Sequence, residues 1–333
     1  MKRIFIPLMV ITIVFSSCEK IVFKPDQASS DPLTNFDYLW GELDKKYSYF
    51  ELKNLDWNKA RDYYRSRLNA NSTEEELFDV LAAMIDTLRD DHSNLFSPFN
   101  VSSYNIAIRK PANFNWRTLN EYYMPNMWST GVFSHDFLDS GRVGYIRYGS
   151  FMSEFTEEQM DFLLKRYKDT KGIIFDVREN GGGSVFNVPK ILKRFTQTEV
   201  TAGYFITRNG PAHSDFSERE NFIVAPHDGI KYLNKVVVLC DRGSYSATTL
   251  FSLATKAFPN MVLMGDTTGG GGGLPNGGQL PNGWTYRFSV SQLLDLNGKN
   301  FAEDGVPPDI QVSFNWNDLT RDEILERAIA EIK

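Results

Sequence analysis

The stretch Lys235–Thr249, KVVVLCDRGSYSATT, decides the fold. Val236, Val237, Val238, Leu239 and Cys240 form an unbroken apolar run, mostly β-branched, the pattern of a strand buried on both faces. Asp241, Arg242 and Gly243 then read as a tight turn in which the glycine is free to take φ > 0. After Ser244, Tyr245 and Ser246, an apolar stripe at helical spacing follows through Leu250, Leu253, Ala254 and Ala257 and ends at Pro259. Strand, sharp turn, serine and helix together present a hydroxyl at a helix N-terminus. Unpaired backbone N–H groups there can stabilise an oxyanion. The same pattern is also satisfied if Ser244 or Ser246 is simply an N-cap.

The surrounding composition narrows the chemistry. The chain has 333 residues, 42% hydrophobic and 23% charged, which supports a sizeable core in one or two domains. Its net charge is −6, and removing residues 1–17 takes away Lys2 and Arg3 and leaves −8. Such an acidic chain is a poor nucleic-acid binder. With only two cysteines, Cys18 and Cys240, a cysteine-rich zinc site is excluded, and no metal or cofactor is expected. The two loops rich in glycine, Gly181–Gly183 and Gly269–Gly273, lack both the Gly-Lys-Ser/Thr ending of a P-loop and the G-x-G-x-x-G spacing, which argues against a nucleotide site.

Toward the N-terminus, Lys2 and Arg3 precede an apolar run from Ile4 to Phe15, short for a membrane span, and then Ser16, Ser17 and Cys18. This pattern resembles a bacterial lipoprotein signal with cleavage before Cys18 and acylation of its sulfur; an ordinary secretory signal with an incidental cysteine is the other reading. It implies a signal peptide over 1–17, a polar tether over 18–34 and a lipid-anchored protein of the bacterial cell envelope, facing the periplasm or the surface. Residues 35–96 read as a region of three helices. Phe36, Leu39, Trp40, Leu43 and Tyr47 mark the first, and Trp57, Ala60, Tyr64 and Leu68 the second. Leu77 to Leu88 mark the third, with Ser72 and Glu75 as its capping box. That helix runs into Arg89-Asp90-Asp91-His92, a polar turn where a lone histidine is usually a surface residue. Residues 97–140 show no clear periodicity and form a connecting segment without an assigned role. From 141 to 333 strands alternate with helices, the signature of an α/β core.

Four motifs in order give this core a resemblance. DVRENGGG at Asp176–Gly183, GSYSATTL at Gly243–Leu250, GDTTG at Gly265–Gly269 and EDGVPPDI at Glu303–Ile310 resemble those of the tail-specific, or C-terminal-processing, serine proteases. That family implies an α/β fold, here an N-terminal helical bundle followed by a ββα-superhelix peptidase core of the Clp-protease and crotonase kind. It also implies a serine peptidase acting on a protein or peptide substrate, with Ser246 as nucleophile.

Two departures matter. The common branch uses a lysine as base, about 25 residues after the serine; that position is Gly271, and no lysine lies between Lys256 and Lys299. A second branch, which includes the tricorn core proteases, resembles a Ser-His-Glu arrangement, and LRDDH at Leu88–His92 and Glu303, 57 residues past Ser246, match it. This resemblance makes His92 the base and Glu303 its orienting carboxylate, with the oxyanion held by N–H groups of Gly182, Gly183 and Ala247. Asp176 and Arg178 read as structural. The family's usual PDZ domain would lie between the helical region and the first core strand, where Ser93–Arg142 is too short for one. A non-catalytic binding module on the same fold and an esterase-type acyl hydrolase are the alternatives.

Overall fold

In the computed structural model, residues 28–104, 112–300 and 303–333 are described. Three helices open the chain: α1 (Pro32–Lys46), α2 (Trp57–Arg65) and α3 (Glu74–Asp86). The α3 capping box falls one residue later than expected, on Thr73 and Glu76. Ser72 is drawn off by the preceding turn, where its Oγ accepts from Asn69 N–H at 3.1 Å. Cys18 and its signal-like run lie outside the described residues, and no described helix is long and apolar enough to cross a membrane.

The centre is a seven-stranded sheet. Its strands are β2 (Trp128–Thr130), β3 (Phe133–Leu138), β4 (Val143–Tyr148), β5 (Gly172–Asp176), β8 (Lys235–Cys240), β9 (Met261–Gly265) and β13 (Ile310–Gln311). They lie in the order β13-β9-β8-β5-β4-β3-β2, parallel from β13 to β4 and antiparallel beyond. The 128–138 part of the segment left without a role therefore belongs to this sheet. Its periodicity is masked because an inward position is taken by His135, fully buried and bonded to Tyr167 Oη at 2.7 Å and Thr130 Oγ1 at 2.9 Å.

β8 is central, which is why its run is apolar on both faces. Val236 and Val238 face one core with α4 (Glu157–Arg166), α5 (Asn187–Leu192) and α6 (Ala247–Thr255). Val237 and Leu239 face another, closed by α7 (Glu323–Ile332). A second antiparallel sheet, in the order β12-β6-β7, comprises β6 (Val200–Thr207), β7 (Glu220–Val224) and β12 (Ser291–Leu294).

The helical layer does not close on itself. A third sheet of β1 (Asn94–Phe96), β11 (Thr285–Ser289) and β10 (Pro275–Gln279) pairs a strand from the end of the helical region with a hairpin far along the chain. Trp284, Tyr286 and Phe288 from that hairpin share one buried cluster with Phe36, Leu39, Leu81 and Leu88. This pairing sets residues 89–93 against the carboxyl end of β8.

Candidate active site

The turn after β8 is built by Asp241. Its Oδ1 accepts from the N–H groups of Gly243 (3.0 Å), Ser244 (3.1 Å) and Glu179 (2.8 Å), so one carboxylate ties this turn to the 178–183 loop. Gly243 is absent from the positive-φ positions; it is required by close approach instead, since a Cβ there would lie 2.8 Å from Glu179 Cα. The two serines have different fates. Ser244 is fully buried and donates to the Val177 carbonyl at 2.7 Å. Ser246 stands at the N-cap position of α6 yet makes no capping bond, and it holds φ 59°, ψ −119°. For a residue with a side chain this is a strained backbone, tolerated where the surroundings over-determine it. Here Ser246 N–H is held by the Gly270 carbonyl at 3.0 Å, and the result is a sharp elbow with Oγ projecting from the turn.

His92 comes to this elbow from the helical side. Its Nε2 lies 3.0 Å from Ser246 Oγ and its Nδ1 lies 2.9 Å from the carbonyl oxygen of Gly273. A carbonyl only accepts, so Nδ1 carries the hydrogen and Nε2 presents its lone pair to the serine hydroxyl. Asp90 fixes the backbone: its Oδ1 accepts from His92 N–H at 2.8 Å, while Oδ2 accepts from Ser93 Oγ at 3.1 Å and Ser289 Oγ at 2.9 Å. The imidazole is buried, 6% exposed, and stacks edge-on against Tyr245 with ring centroids 5.1 Å apart. Burial pushes its pKa below the ordinary 6.5, against the pull of Asp90 and with the help of the Arg287 charge.

Glu303 does not make the expected contact with His92. The Gly273 carbonyl already occupies Nδ1, and Glu303 Oε1 is taken by the buried ammonium of Lys53. Burial, with the neighbouring Asp90 carboxylate, pushes the Glu303 pKa up to about 8 despite that ion pair. The loop expected to hold an oxyanion also differs from expectation at one of its positions. Gly182 donates its N–H to Asn180 Oδ1 at 3.0 Å, within its own turn. Its part is steric: with φ +94°, a Cβ on it would lie 2.7 Å from Ser246 Cβ. Gly183 lines the cleft, and the N–H of Ala247, first in α6, has no partner inside its helix.

Asp176 and Arg178 are fully buried behind this loop. Arg178 bridges Asp176 (Nη2 to Oδ2, 2.6 Å) and Asp322 (Nη1 to Oδ2, 2.8 Å), binding the loop to the start of α7. The other histidines sit apart from Ser246. His135 is buried, His213 bonds Asp44 at 2.9 Å, and His227 follows β7. Among the described residues no cluster of three or more His, Cys, Asp or Glu is placed to hold a metal ion.

His92 and Ser246 open onto a cleft of about 670 Å³, walled by Met152, Phe186, Leu274 and Arg287 and floored by Gly182 and Gly183. Met152 and Phe186 are 74% and 76% exposed there, so its rim is apolar and accessible. The sequence did not single out Asp90, Lys53, Gly273 or Tyr245. Of these only Asp90 carries a local signal, an acidic residue two before the histidine.

The profile of peptidase family S41 matches residues 142–312, just over half of the chain, and that of the Tricorn protease C1 domain matches residues 30–86. The chain belongs to peptidase family S41. The S41 chain is 37% identical to a protein of known structure from Parabacteroides merdae ATCC 43184, over 91% of this chain and 97% of that one, with a TM-score of 0.87. It is 29% identical over 172 residues to the carboxy-terminal processing protease CtpB of Bacillus subtilis (strain 168), covering 51% of this chain. The S41 chain spans only about a third of the length of the curated relatives it matches, 34% in the case of CtpB. Mature CPAF shares the fold, with a TM-score of 0.68 at 14% identity over 91% of this chain and 96% of that one.

Proposed function

We propose that the protein is a serine endopeptidase that cleaves protein or peptide substrates through an acyl-enzyme, with Ser246 as nucleophile and His92 as general base. The observation that carries this is the 3.0 Å contact between His92 Nε2 and Ser246 Oγ on a strained elbow, with the tautomer fixed by a carbonyl. Nε2 takes the hydroxyl proton as Oγ attacks the scissile carbonyl, and returns it to the leaving amine. N–H groups of Gly183 and Ala247 stabilise the oxyanion, while Gly182 keeps the loop close to the elbow. Glu303 completes the triad of the related branch, acting on the histidine from behind rather than by contact. An N-terminal helical bundle on a ββα-superhelix core is the fold that goes with this chemistry, and substrate selection falls to the cleft rather than to a PDZ domain. A fluorophosphonate probe with peptide mapping tests it: the adduct is expected on Ser246, and an unlabelled protein or an adduct elsewhere overturns it. A non-catalytic binding module would have no use for the adjoining His92 and Ser246, and the family match favours a peptidase over an esterase that would use the same pair.

We also propose lipid anchoring at Cys18 in the bacterial cell envelope. Its support is the short apolar run ending in Ser16-Ser17-Cys18. Metabolic palmitate labelling and detergent partitioning test it, with Cys18→Ala expected to lose both; an unlabelled wild type disproves it.

A further inference from the structure

We propose that Lys53 is a positioning residue for the base, and that Glu303 acts on His92 through it; this rests on the roles given to His92 and Ser246 above. Lys53 lies in the turn between α1 and α2, with its side chain only 8% exposed. Its ammonium has three donors, and three acceptors surround it: the carbonyls of Leu88 (2.8 Å) and Arg89 (3.1 Å), and Glu303 Oε1. The two carbonyls belong to the turn that ends α3, where backbone oxygens have no helical partner and a cation is favoured.

That turn is strained. Arg89 has φ +52°, a left-handed conformation costly for a residue with a side chain, so it persists only if held from outside. The hold is reciprocal: Lys53 Nζ grips the Arg89 carbonyl, and Arg89 Nη2 donates to the Lys53 carbonyl at 3.2 Å. Arg89 leads directly into Asp90, which fixes the N–H of His92. The chain of contacts therefore runs from Glu303 to Lys53, to the Leu88-Arg89 carbonyls, to the backbone of His92. Placement matters sharply at the far end, since a shift of about 1 Å in a reacting group can cost about a hundredfold in rate.

The test uses the acylation of Ser246 by a fluorophosphonate probe, resolved into its rate at saturation and its apparent affinity, on protein whose folding is checked by circular dichroism and thermal melting. Lys53→Met, which keeps the apolar stem, is expected to slow saturated acylation at least tenfold with the apparent affinity within twofold. Wild-type acylation in folded Lys53→Met overturns the proposal. If Lys53→Met does not fold, Lys53→Arg decides. It keeps a charge and donors but displaces the turn, so slowed acylation at unchanged apparent affinity supports the proposal and a wild-type rate overturns it. Ser246→Ala is run alongside. If it still reacts at a single site, the parent assignment of the nucleophile fails; if it is inert while the Lys53 variants react normally, only the positioning role fails.

Discussion

The ring of Tyr245 fills the space a side chain at Gly271 would need: a Cβ there would lie 2.3 Å from Tyr245 Cζ, on a backbone with φ +72°. Gly271 falls where the common branch of the resembling proteases carries its lysine base, and Tyr245 instead packs against His92. Gly271→Lys is therefore expected to lower the melting temperature by several degrees, a cost of ~1–3 kcal/mol, and to restore no activity to His92→Ala. Recovery of turnover in the double variant would show that the site still accepts a lysine base.

The 3.0 Å contact between His92 and Ser246 makes them one unit. His92→Ala and Ser246→Ala should each lower kcat by about 10⁴-fold or more, and the double variant should be little worse than either. Additive losses in the double variant would separate the two roles. Steady-state assays on any cleaved peptide supply the numbers.

Burial holds His92 below its ordinary 6.5, and the proposed base acts in its neutral form. The acid limb of kcat/KM should accordingly fall below pH 6.5, with activity retained at pH values where a free imidazole is already protonated. A limb centred above pH 7 would contradict the environment described. A profile from pH 4 to 9 decides it.

The Glu303 carboxyl is raised from 4.5 to about 8. A folded-state value above the unfolded one means that its contribution to stability is complete below about pH 4.5 and drains away as pH rises through 8. Glu303→Gln cannot ionise. The melting-temperature advantage of the wild type over Glu303→Gln should shrink steadily between pH 5 and pH 8, other groups cancelling in the difference. A constant gap would mean that Glu303 ionises normally. Because Gln still offers Lys53 an oxygen, kcat near neutrality should change by less than about tenfold, well short of the His92 and Ser246 losses.

Lys256, ten residues past Ser246, bonds Asp309 Oδ1 at 2.5 Å, and neither it nor its partner lines the cleft. Lys256→Ala should leave kcat within about twofold. Loss of turnover there would point to a relocated dyad.

The sheet was legible because β8 is buried on both faces, so its composition alone marks it. Ser246 was legible because a strand, a turn and a helix lie contiguous in sequence around it. His92 could be found only through its LRDDH turn, since 154 residues separate it from the serine it meets. The contact assigned to Glu303 failed for a related reason. Sequence spacing brings it near the site, but a backbone carbonyl, invisible to any reading of side chains, claims Nδ1, while a buried lysine from a distant turn holds one of the Glu303 oxygens and the other has no hydrogen-bond partner. The strands at 128–138 stayed hidden because His135 breaks the apolar alternation from inside the core.

The cluster that seats the helical layer is finished only by Trp284, Tyr286 and Phe288, all later in the chain than Ser246. A nascent molecule that has already made its serine elbow thus has no seated imidazole beside it until the hairpin has emerged and docked. The proposed base and nucleophile therefore meet late in synthesis.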